Sequence, residues 1–254
     1  MLKNHQDAHG HALMDYLKGK GGFEIVERDD GYFDVSGGPH LYFSEYDEWT
    51  EHEKEAMKYV RGKVLDIGCG AGRHSLYLQN KGFDVLGIDI SPLAIEVCKL
   101  RGLKKVKVLS ITQISSKLGK FDTILMMGNN FGLFGNPKRA KWLLRKFHKI
   151  TTEKGRIIAE TRDPYKTDNP DHIAYHEWNR KRGRLPGQVR IRIRYKKYVT
   201  PWFDYLFVSK EELKEILKGT GWQPVKFIDG KSGLYIAVID NCLLYTSPSP
   251  RDRG

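Results

Sequence analysis

Residues 63–72 read Lys-Val-Leu-Asp-Ile-Gly-Cys-Gly-Ala-Gly, and this stretch decides the fold class of the chain. Val64, Leu65 and Ile67 predict a buried strand that carries Asp66 near its end and then breaks into three glycines at two-residue spacing. Glycine allows backbone conformations and close ligand approaches that a Cβ would prevent. The stretch therefore predicts a ligand-binding turn at the carboxyl end of a strand.

A second strand is predicted at residues 84–90, Asp-Val-Leu-Gly-Ile-Asp-Ile, and it ends in Asp89, seventeen residues after Gly72. An acid at that place can accept hydrogen bonds from both hydroxyls of a ribose, so the pair of strands predicts a nucleoside site. A dinucleotide fingerprint would need a third glycine where the chain has Arg73. A dehydrogenase therefore fits less well, and a glycine-rich turn without a ligand is the remaining alternative.

The pattern D-x-G-x-G-x-G followed by an acid-ended strand resembles the class I S-adenosylmethionine (SAM) methyltransferase family. The resemblance implies SAM as cofactor, with Asp66 and the turn at its methionine end, Asp89 at its ribose and Ile90 at its adenine. Ser110 stands where the family usually has an acid that contacts the adenine. The cofactor contacts we expect are Asp66, Gly68, Cys69, Gly70, Gly72, Asp89, Ile90, Ser110, Met127 and the aromatic Tyr46.

Strands and helices alternate from residue 63 to 161, which predicts an α/β fold with a doubly wound, mostly parallel sheet. A capping box at Ser209 and two terminal strands joined near Gly230 add a last helix and an antiparallel hairpin. Seven strands with such a hairpin also match the class I family. Residues 162–208 are expected to form an inserted β-rich lid.

The predicted organisation has four parts. Residues 1–60 form a cover of a helix and a hairpin, and residues 61–161 with 209–241 form the SAM-binding core. Residues 162–208 are the substrate lid, in which a strand at 189–195 pairs with 202–208 across a turn at Pro201. Residues 242–254 resemble a translated sequencing adapter and are expected to be an artefactual tail.

The chemistry should take place after the fourth parallel strand, in the turn Gly128-Asn-Asn-Phe131. Nucleic-acid amino methyltransferases typically have N/D-P-P-Y/F here, whereas this turn resembles small-molecule N-methyltransferases of the glycine-methylating kind. Asn129 and Asn130 are the catalytic candidates, although turn asparagines also satisfy local backbone groups. The substrate candidates follow the fifth strand or lie in the lid: Arg162, Asp163, Tyr165 and His176.

Between Trp178 and Phe203 the chain has nine basic residues and no acid. The net charge of the whole chain is +12. On the strand at 189–195 the arginines alternate with apolar residues, so they share one face. This basic stripe could be a solvated face or an oligomer contact, could favour an anionic small-molecule acceptor, or could dock RNA. The function we expect is methylation of a small molecule by in-line displacement; the alternative is an RNA or protein methyltransferase that docks through residues 180–197.

No apolar run approaches the roughly 18 residues of a membrane span, and the N-terminus lacks the apolar core of a secretory signal. Cys69, Cys98 and Cys242 have no metal or disulfide spacing, so we expect no metal and a reducing, cytoplasmic location. The sequence does not indicate an oligomeric state.

Overall fold

The N-terminal part is a helix, a hairpin and a second helix. A computed structural model describes residues 2–242 of the chain. Its first elements are helix α1 (Ala8–Leu17), strands β1 (Ile25–Arg28) and β2 (Phe33–Val35), and helix α2 (Glu51–Met57). Asp7 caps α1 by accepting from the Gly10 amide, and Thr50 forms the predicted capping box with Glu53.

The core then alternates strands and helices, as the sequence predicts. Its elements are β3 (Val64–Ile67), α3 (Arg73–Asn80), β4 (Val85–Asp89), α4 (Pro92–Leu100), β5 (Val106–Val108), β6 (Phe121–Met126), α5 (Pro137–Phe147) and β7 (Thr151–Arg162). Ser91 caps α4 before Pro92, and Asn136 caps α5 before Pro137. These pairs combine a capping oxygen with a residue that needs no amide partner, which fixes where each helix begins.

The insertion and the C-terminal part complete the chain. They comprise α6 (Pro170–Lys181), β8 (Gln188–Tyr195), β9 (Tyr198–Val199), β10 (Phe203–Leu206), α7 (Lys210–Leu217), β11 (Trp222–Asp229) and β12 (Leu234–Asn241). The insertion contains three strands, as expected, and also helix α6, which the sequence analysis did not predict. The predicted tail begins at Cys242 and otherwise lies outside the described residues.

The large sheet has seven strands in the order β11-β12-β7-β6-β3-β4-β5. Strands β3 to β7 run parallel, whereas β12 pairs antiparallel with both β7 and β11. The predicted α/β class and the terminal hairpin are therefore confirmed. Because parallel strands share their carboxyl edge, the ends of β3, β4, β6 and β7 meet in one place.

A second sheet joins the N-terminal hairpin to the insertion, in the order β10-β8-β1-β2. Strand β8 pairs antiparallel with β1 on one side and with β9 and β10 on the other. The predicted N-terminal cover (residues 1–60) and the predicted lid (residues 162–208) thus contribute strands to the same sheet. The predicted turn at Pro201 is wrong: the β8–β9 hairpin turns at Lys196, which has a φ of 51°, and Pro201 interrupts the returning strand.

Both faces of the large sheet are covered by apolar clusters. One cluster packs α5 and α7 against the sheet around Phe134 and Phe147. The other packs α2 and α3 around Trp49 and Leu78. Burying each such side chain contributes about 1.5–3 kcal/mol, so the two clusters hold the carboxyl edge rigidly. None of the helices between residues 2 and 242 combines the length and the apolar character that a membrane crossing needs.

Candidate active site

The glycine turn after β3 has the conformation that its sequence predicts. Gly68, Gly70 and Gly72 have φ angles of 74°, 55° and 81°, in the left-handed region that favours glycine. A Cβ on Gly68 would lie 2.6 Å from Nδ2 of Asn130, and one on Gly72 would lie 3.0 Å from Sγ of Cys98. Both conformation and space therefore require glycine in this turn.

The two acids of the turn region have different environments. Asp89, at the end of β4, accepts from the Gly70 amide at 3.0 Å and from the Ser91 amide at 2.9 Å. Its position beside Gly70 is the one expected for a ribose contact. Burial raises the pKa of Asp89, although the charge of His9 opposes that shift.

Asp66 lies behind the turn and not on its open side. It is buried, and its Oδ2 accepts from Oγ of Ser75 on α3 at 2.6 Å. Burial raises its pKa to about 6, while the hydrogen bond from Ser75 opposes the shift. In the structure Asp66 ties the turn to α3 through this hydrogen bond, and its contact with the methionine end of the cofactor stays a prediction.

Cys69 and Met127 also point into packed interior. The Cys69 side chain is buried with its Sγ 3.9 Å from Sγ of Cys98, and Met127 belongs to the cluster around Trp49. Only their backbones could contact a ligand at the edge. Ile90, in contrast, is 42% exposed next to Asp89 and offers the apolar surface that an adenine would need.

Ser110 is engaged locally. Its Oγ lies 3.0 Å from Oγ1 of Thr112 and caps a short 3-10 turn, Ile111–Gln113. Tyr46 also has a packing role: its ring stacks on Tyr77 at 4.6 Å and meets Trp49 edge-on. The aromatic side chain that approaches Gly70 is Tyr42, and the cofactor contact expected of Tyr46 stays a prediction.

Two N-terminal side chains, those of His9 and Tyr42, lie over the glycine turn. Nε2 of His9 and Cδ1 of Tyr42 each lie 3.8 Å from where a Gly70 Cβ would be, and their rings meet edge-on at 4.8 Å. Nδ1 of His9 lies 2.8 Å from Oε1 of the buried Glu24. Burial alone would lower the pKa of His9, but the Glu24 carboxylate raises it to about 9. The Glu24 carboxylate thus favours the charged form of His9, whose side chain is 19% exposed.

The two asparagines after β6 have different partners. Nδ2 of Asn130 donates to the carbonyls of Ile67 at 3.0 Å and Gly68 at 2.9 Å, which locks this turn to the glycine turn. Asn129 has a φ of 64°, and its backbone carbonyl accepts from the Tyr205 hydroxyl at 2.7 Å. Its Oδ1 is buried without a hydrogen-bond partner among the described residues. Asn129 thus has a free acceptor atom, whereas Asn130 is structural.

Glu160 on β7 is a polar centre that the sequence did not single out as a site residue. It is buried, and its Oε2 accepts from the backbone amides of Gly128 at 2.5 Å and Asn129 at 3.3 Å. Oε1 lies 3.4 Å from Nε2 of His52 on α2, and the hydrogen bond to Glu160 raises the pKa of His52. The signal available in the sequence was an acid at the carboxyl end of a parallel strand.

Tyr205 on β10 of the second sheet lies next to the turn after β6. Its ring occupies the space next to Gly132, where a Cβ would lie 2.0 Å from the ring. Burial raises the pKa of Tyr205, and the nearby Tyr42 and Glu160 raise it further. The Tyr205 hydroxyl donates to the Asn129 carbonyl at 2.7 Å, so Tyr205 ties the turn after β6 to the second sheet.

The predicted substrate residues lie further along the chain. The Tyr165 hydroxyl donates to Oε1 of Glu212 on α7 at 2.7 Å, and the backbone amide of Asp163 donates to the Gly233 carbonyl at 2.8 Å. Arg162 is exposed two residues beyond Glu160 and shares its strand face, while His176 is buried on α6. Asp163 and Tyr165 therefore contact α7 and the β11–β12 connection instead of the glycine turn.

The basic stripe is largely paired within the protein. Glu27 on β1 contacts both Arg192, at 2.7 Å, and Arg194, and these arginines lower its pKa to about 2. The other contacts in this stripe are Arg190 with Asp204 at 3.4 Å and Lys196 with Asp15 at 2.5 Å. With Arg180, which pairs with Glu177, five of the nine cations have an acidic partner within the described residues. Lys181, Arg182, Arg184 and Lys197 form no salt bridge there. Across residues 2–242, no group of three or more His, Cys, Asp and Glu side chains could hold a metal ion.

The sheet order, the glycine turn and the acid that ends the neighbouring strand define the class I fold of SAM-dependent methyltransferases. Residues 64–155 match the family model described as "Methyltransferase domain", and they are a domain of this class. A SAM-dependent methyltransferase from Bacteroides fragilis, solved in complex with S-adenosyl-L-homocysteine, superposes with a TM-score of 0.81 at 27% identity. The match covers 96% of this chain and 98% of that chain, so it includes the second sheet.

Two curated relatives match a shorter region. Glycine/sarcosine N-methyltransferase of Halorhodospira halochloris is 28% identical over 116 residues, 43% of this chain and 43% of that protein. The tRNA (uracil(54)-C(5))-methyltransferase of Pyrococcus horikoshii is 32% identical over 98 residues, 37% of this chain and 23% of that protein. The chain thus spans about half the length, or less, of the curated relatives it matches.

Proposed function

We propose that this protein transfers a methyl group from SAM to a small-molecule acceptor at the carboxyl edge of the large sheet. The observation that carries the proposal is the contact between the Gly70 amide and Asp89 at 3.0 Å, at the meeting point of β3 and β4. The whole-chain likeness to a structure that contains S-adenosyl-L-homocysteine supports the same cofactor.

The residues present fit SAM. The turn leaves space at Gly70 that a side chain would fill, Asp89 can exchange its backbone partners for ribose hydroxyls, and Ile90 is exposed for the adenine. When bound, the cofactor supplies a methyl group on a sulfonium, which is already a good leaving group. The protein therefore has mainly to bind, orient and exclude water.

The acceptor pocket we propose is formed by Asn129, Glu160, Tyr205 and Tyr42. Oδ1 of Asn129 lacks a partner among the described residues, so it can accept a hydrogen bond from an acceptor amine or hydroxyl. The Tyr205 hydroxyl and the Glu160 carboxylate hold the Asn129 backbone in place. His9, Tyr42 and the second sheet cover this edge. A covered edge favours a small acceptor.

The RNA or protein alternative through residues 180–197 receives less support, because the arginines of that stripe bind Glu27 and Asp204. The two kinds of acceptor can be separated by incubating the protein with methyl-labelled SAM and fractionated cell extracts. We expect label in the small-molecule fraction that depends on active protein. Label found in RNA or protein alone would contradict the small-molecule proposal, and no transfer to any fraction would contradict the enzymatic one.

A further inference from the structure

The longest basic run of the sequence holds only part of the positive charge of the protein. The chain has a second acid-free segment, residues 123–152, with six lysines and arginines. It contains helix α5. Arg139 is occupied inside the protein, since its side chain donates to the carbonyls of Phe134 and Leu133. The other five, together with Trp142, make up what we call the α5 face: Lys138, Lys141, Trp142, Arg145, Lys146 and Lys149.

Five of these residues lie on one side of the helix, and Lys149 follows in the 3-10 turn His148–Ile150. At 100° per residue the five fall within an arc of about 140°, opposite the buried Leu143, Leu144 and Phe147. Lys138, Arg145 and Lys149 are exposed. The helix therefore presents a continuous basic surface to solvent and an apolar surface to the core.

The charges of the α5 face are uncompensated. Among residues 2–242, none of its five cations forms a salt bridge, in contrast to Arg190, Arg192 and Arg194 of the stripe. Helix α7 packs against α5, but its Glu212 receives the Tyr165 hydroxyl and its Glu215 pairs with Lys218. The basic surface thus lacks an internal acidic partner in the part of the protein that the structure describes.

The α5 face also carries a large aromatic side chain. Trp142 is 45% exposed, and Nζ of Lys146 lies 4.4 Å from its ring centroid. An exposed indole among cations is the combination that binds single-stranded nucleic acid, in which bases stack on aromatic rings and phosphates contact lysine and arginine. A membrane surface fits less well, because Trp142 is the only large apolar side chain exposed on this helix.

We propose that the α5 face binds a single-stranded nucleic-acid segment, a function separate from methyl transfer. Nζ of Lys146 donates to the Thr112 carbonyl at 2.9 Å, so we count four contacts to phosphates. Four contacts predict that the logarithm of the association constant falls with the logarithm of salt concentration with a slope of about −2.8. Each contact contributes about a factor of five at 0.1 M salt on the same relation. Losing three contacts therefore weakens binding about 100-fold.

The test is fluorescence anisotropy of a labelled 20-nucleotide oligouridine with the full chain at several salt concentrations. The triple variant Lys138→Ala, Arg145→Ala, Lys149→Ala should bind about 100-fold more weakly at 0.1 M salt, with a slope shallower by about 2. Trp142→Ala should weaken binding about tenfold, because stacking of one base is lost.

A matched control removes the same charge elsewhere. Lys99, Lys104 and Lys107 are exposed at α4 and β5, and changing all three to alanine should alter binding less than threefold. Equal losses in the two triple variants would overturn the proposal, as would no oligouridine binding by the unaltered protein at 50 mM salt. Binding to vesicles of anionic phospholipid without binding to oligouridine would also overturn it. SAM calorimetry on each variant checks folding and keeps this outcome distinct from failure of the methyltransferase proposal.

Discussion

At the residue scale, the least expected feature is the pair of the half-buried His9 and the buried Glu24 beside the glycine turn. A pKa of about 9 for His9 lies above the ordinary value of 6.5. The pair therefore stabilises the fold fully below pH 6.5, and this contribution is lost as the pH rises through 9.

We predict that His9→Gln destabilises the protein most at pH 6.5, by about 3 kcal/mol at most, with a smaller difference at pH 9.5. Denaturant unfolding of both proteins across this range measures the effect. Glu24→Gln is the matched variant and should show the same dependence on pH. A His9→Gln difference that is constant with pH would contradict a charged His9.

Tyr205 supports a second prediction at this scale. Tyr205→Phe keeps the ring beside Gly132 but removes the hydrogen bond to the Asn129 carbonyl. We expect the SAM dissociation constant to stay within threefold, while kcat/KM for the acceptor falls about tenfold, equivalent to about 1.4 kcal/mol.

The control for Tyr205→Phe is Tyr195→Phe, since the Tyr195 hydroxyl donates to Asp15 elsewhere on the same sheet. That variant should keep full kcat/KM. Equal effects of the two substitutions would remove Tyr205 from the acceptor pocket and reduce it to a packing residue.

At the element scale, the second sheet depends on contacts between segments far apart in sequence. Glu27 on β1 binds Arg192 and Arg194 on β8, which holds the N-terminal hairpin to the insertion. The lowered pKa of Glu27 means that this stabilisation is present above pH 4.5 and is lost as the pH falls through about 2.

We therefore predict that Glu27→Gln lowers the free energy of unfolding at pH 7 by about 1 kcal/mol, with no difference from the unaltered protein near pH 2. Urea titrations at the two pH values measure it. Asp204→Asn is the control, because Asp204 receives one long contact of 3.4 Å from Arg190, and it should change stability by less than half as much. A larger effect of Asp204→Asn would show that Glu27 is not the main link.

The helices and strands that the sequence predicted correctly are those whose signals lie within a few neighbouring residues. Capping pairs such as Ser91-Pro92, and the alternation of strands and helices, fixed the core because their signals lie within a few residues. Helix α6 was missed although Asn169 and Pro170 mark its start, because its buried side chains, Tyr175, His176 and Asn179, are partly polar and give no apolar stripe.

At the scale of the whole molecule, the site is built from both sheets. The sequence predicted the glycine turn and Asp89, which belong to one β-α-β unit. It did not predict His9, Glu24 or Tyr205, because their positions depend on the pairing of β1 with β8 and of β8 with β10. The pairing of β1 with β8, which are far apart in sequence, leaves no periodic pattern in the sequence of either strand.

The same separation explains the charge distribution. The alternating arginines of β8 correctly indicated one shared face, but the acid that pairs with two of them lies on β1. The net charge of +12 therefore has to be located on the folded molecule before it indicates a partner.

Calorimetric titration of SAM into the unaltered protein and Asp89→Ala tests the central proposal most directly. We predict one binding site per chain, at least tenfold weaker in Asp89→Ala, because the ribose hydroxyls lose their acceptor. Asp84→Ala, which removes an exposed acid at the start of the same strand region, should bind normally. Failure of the unaltered protein to bind SAM, or unchanged affinity in Asp89→Ala, would contradict the assignment of the cofactor site.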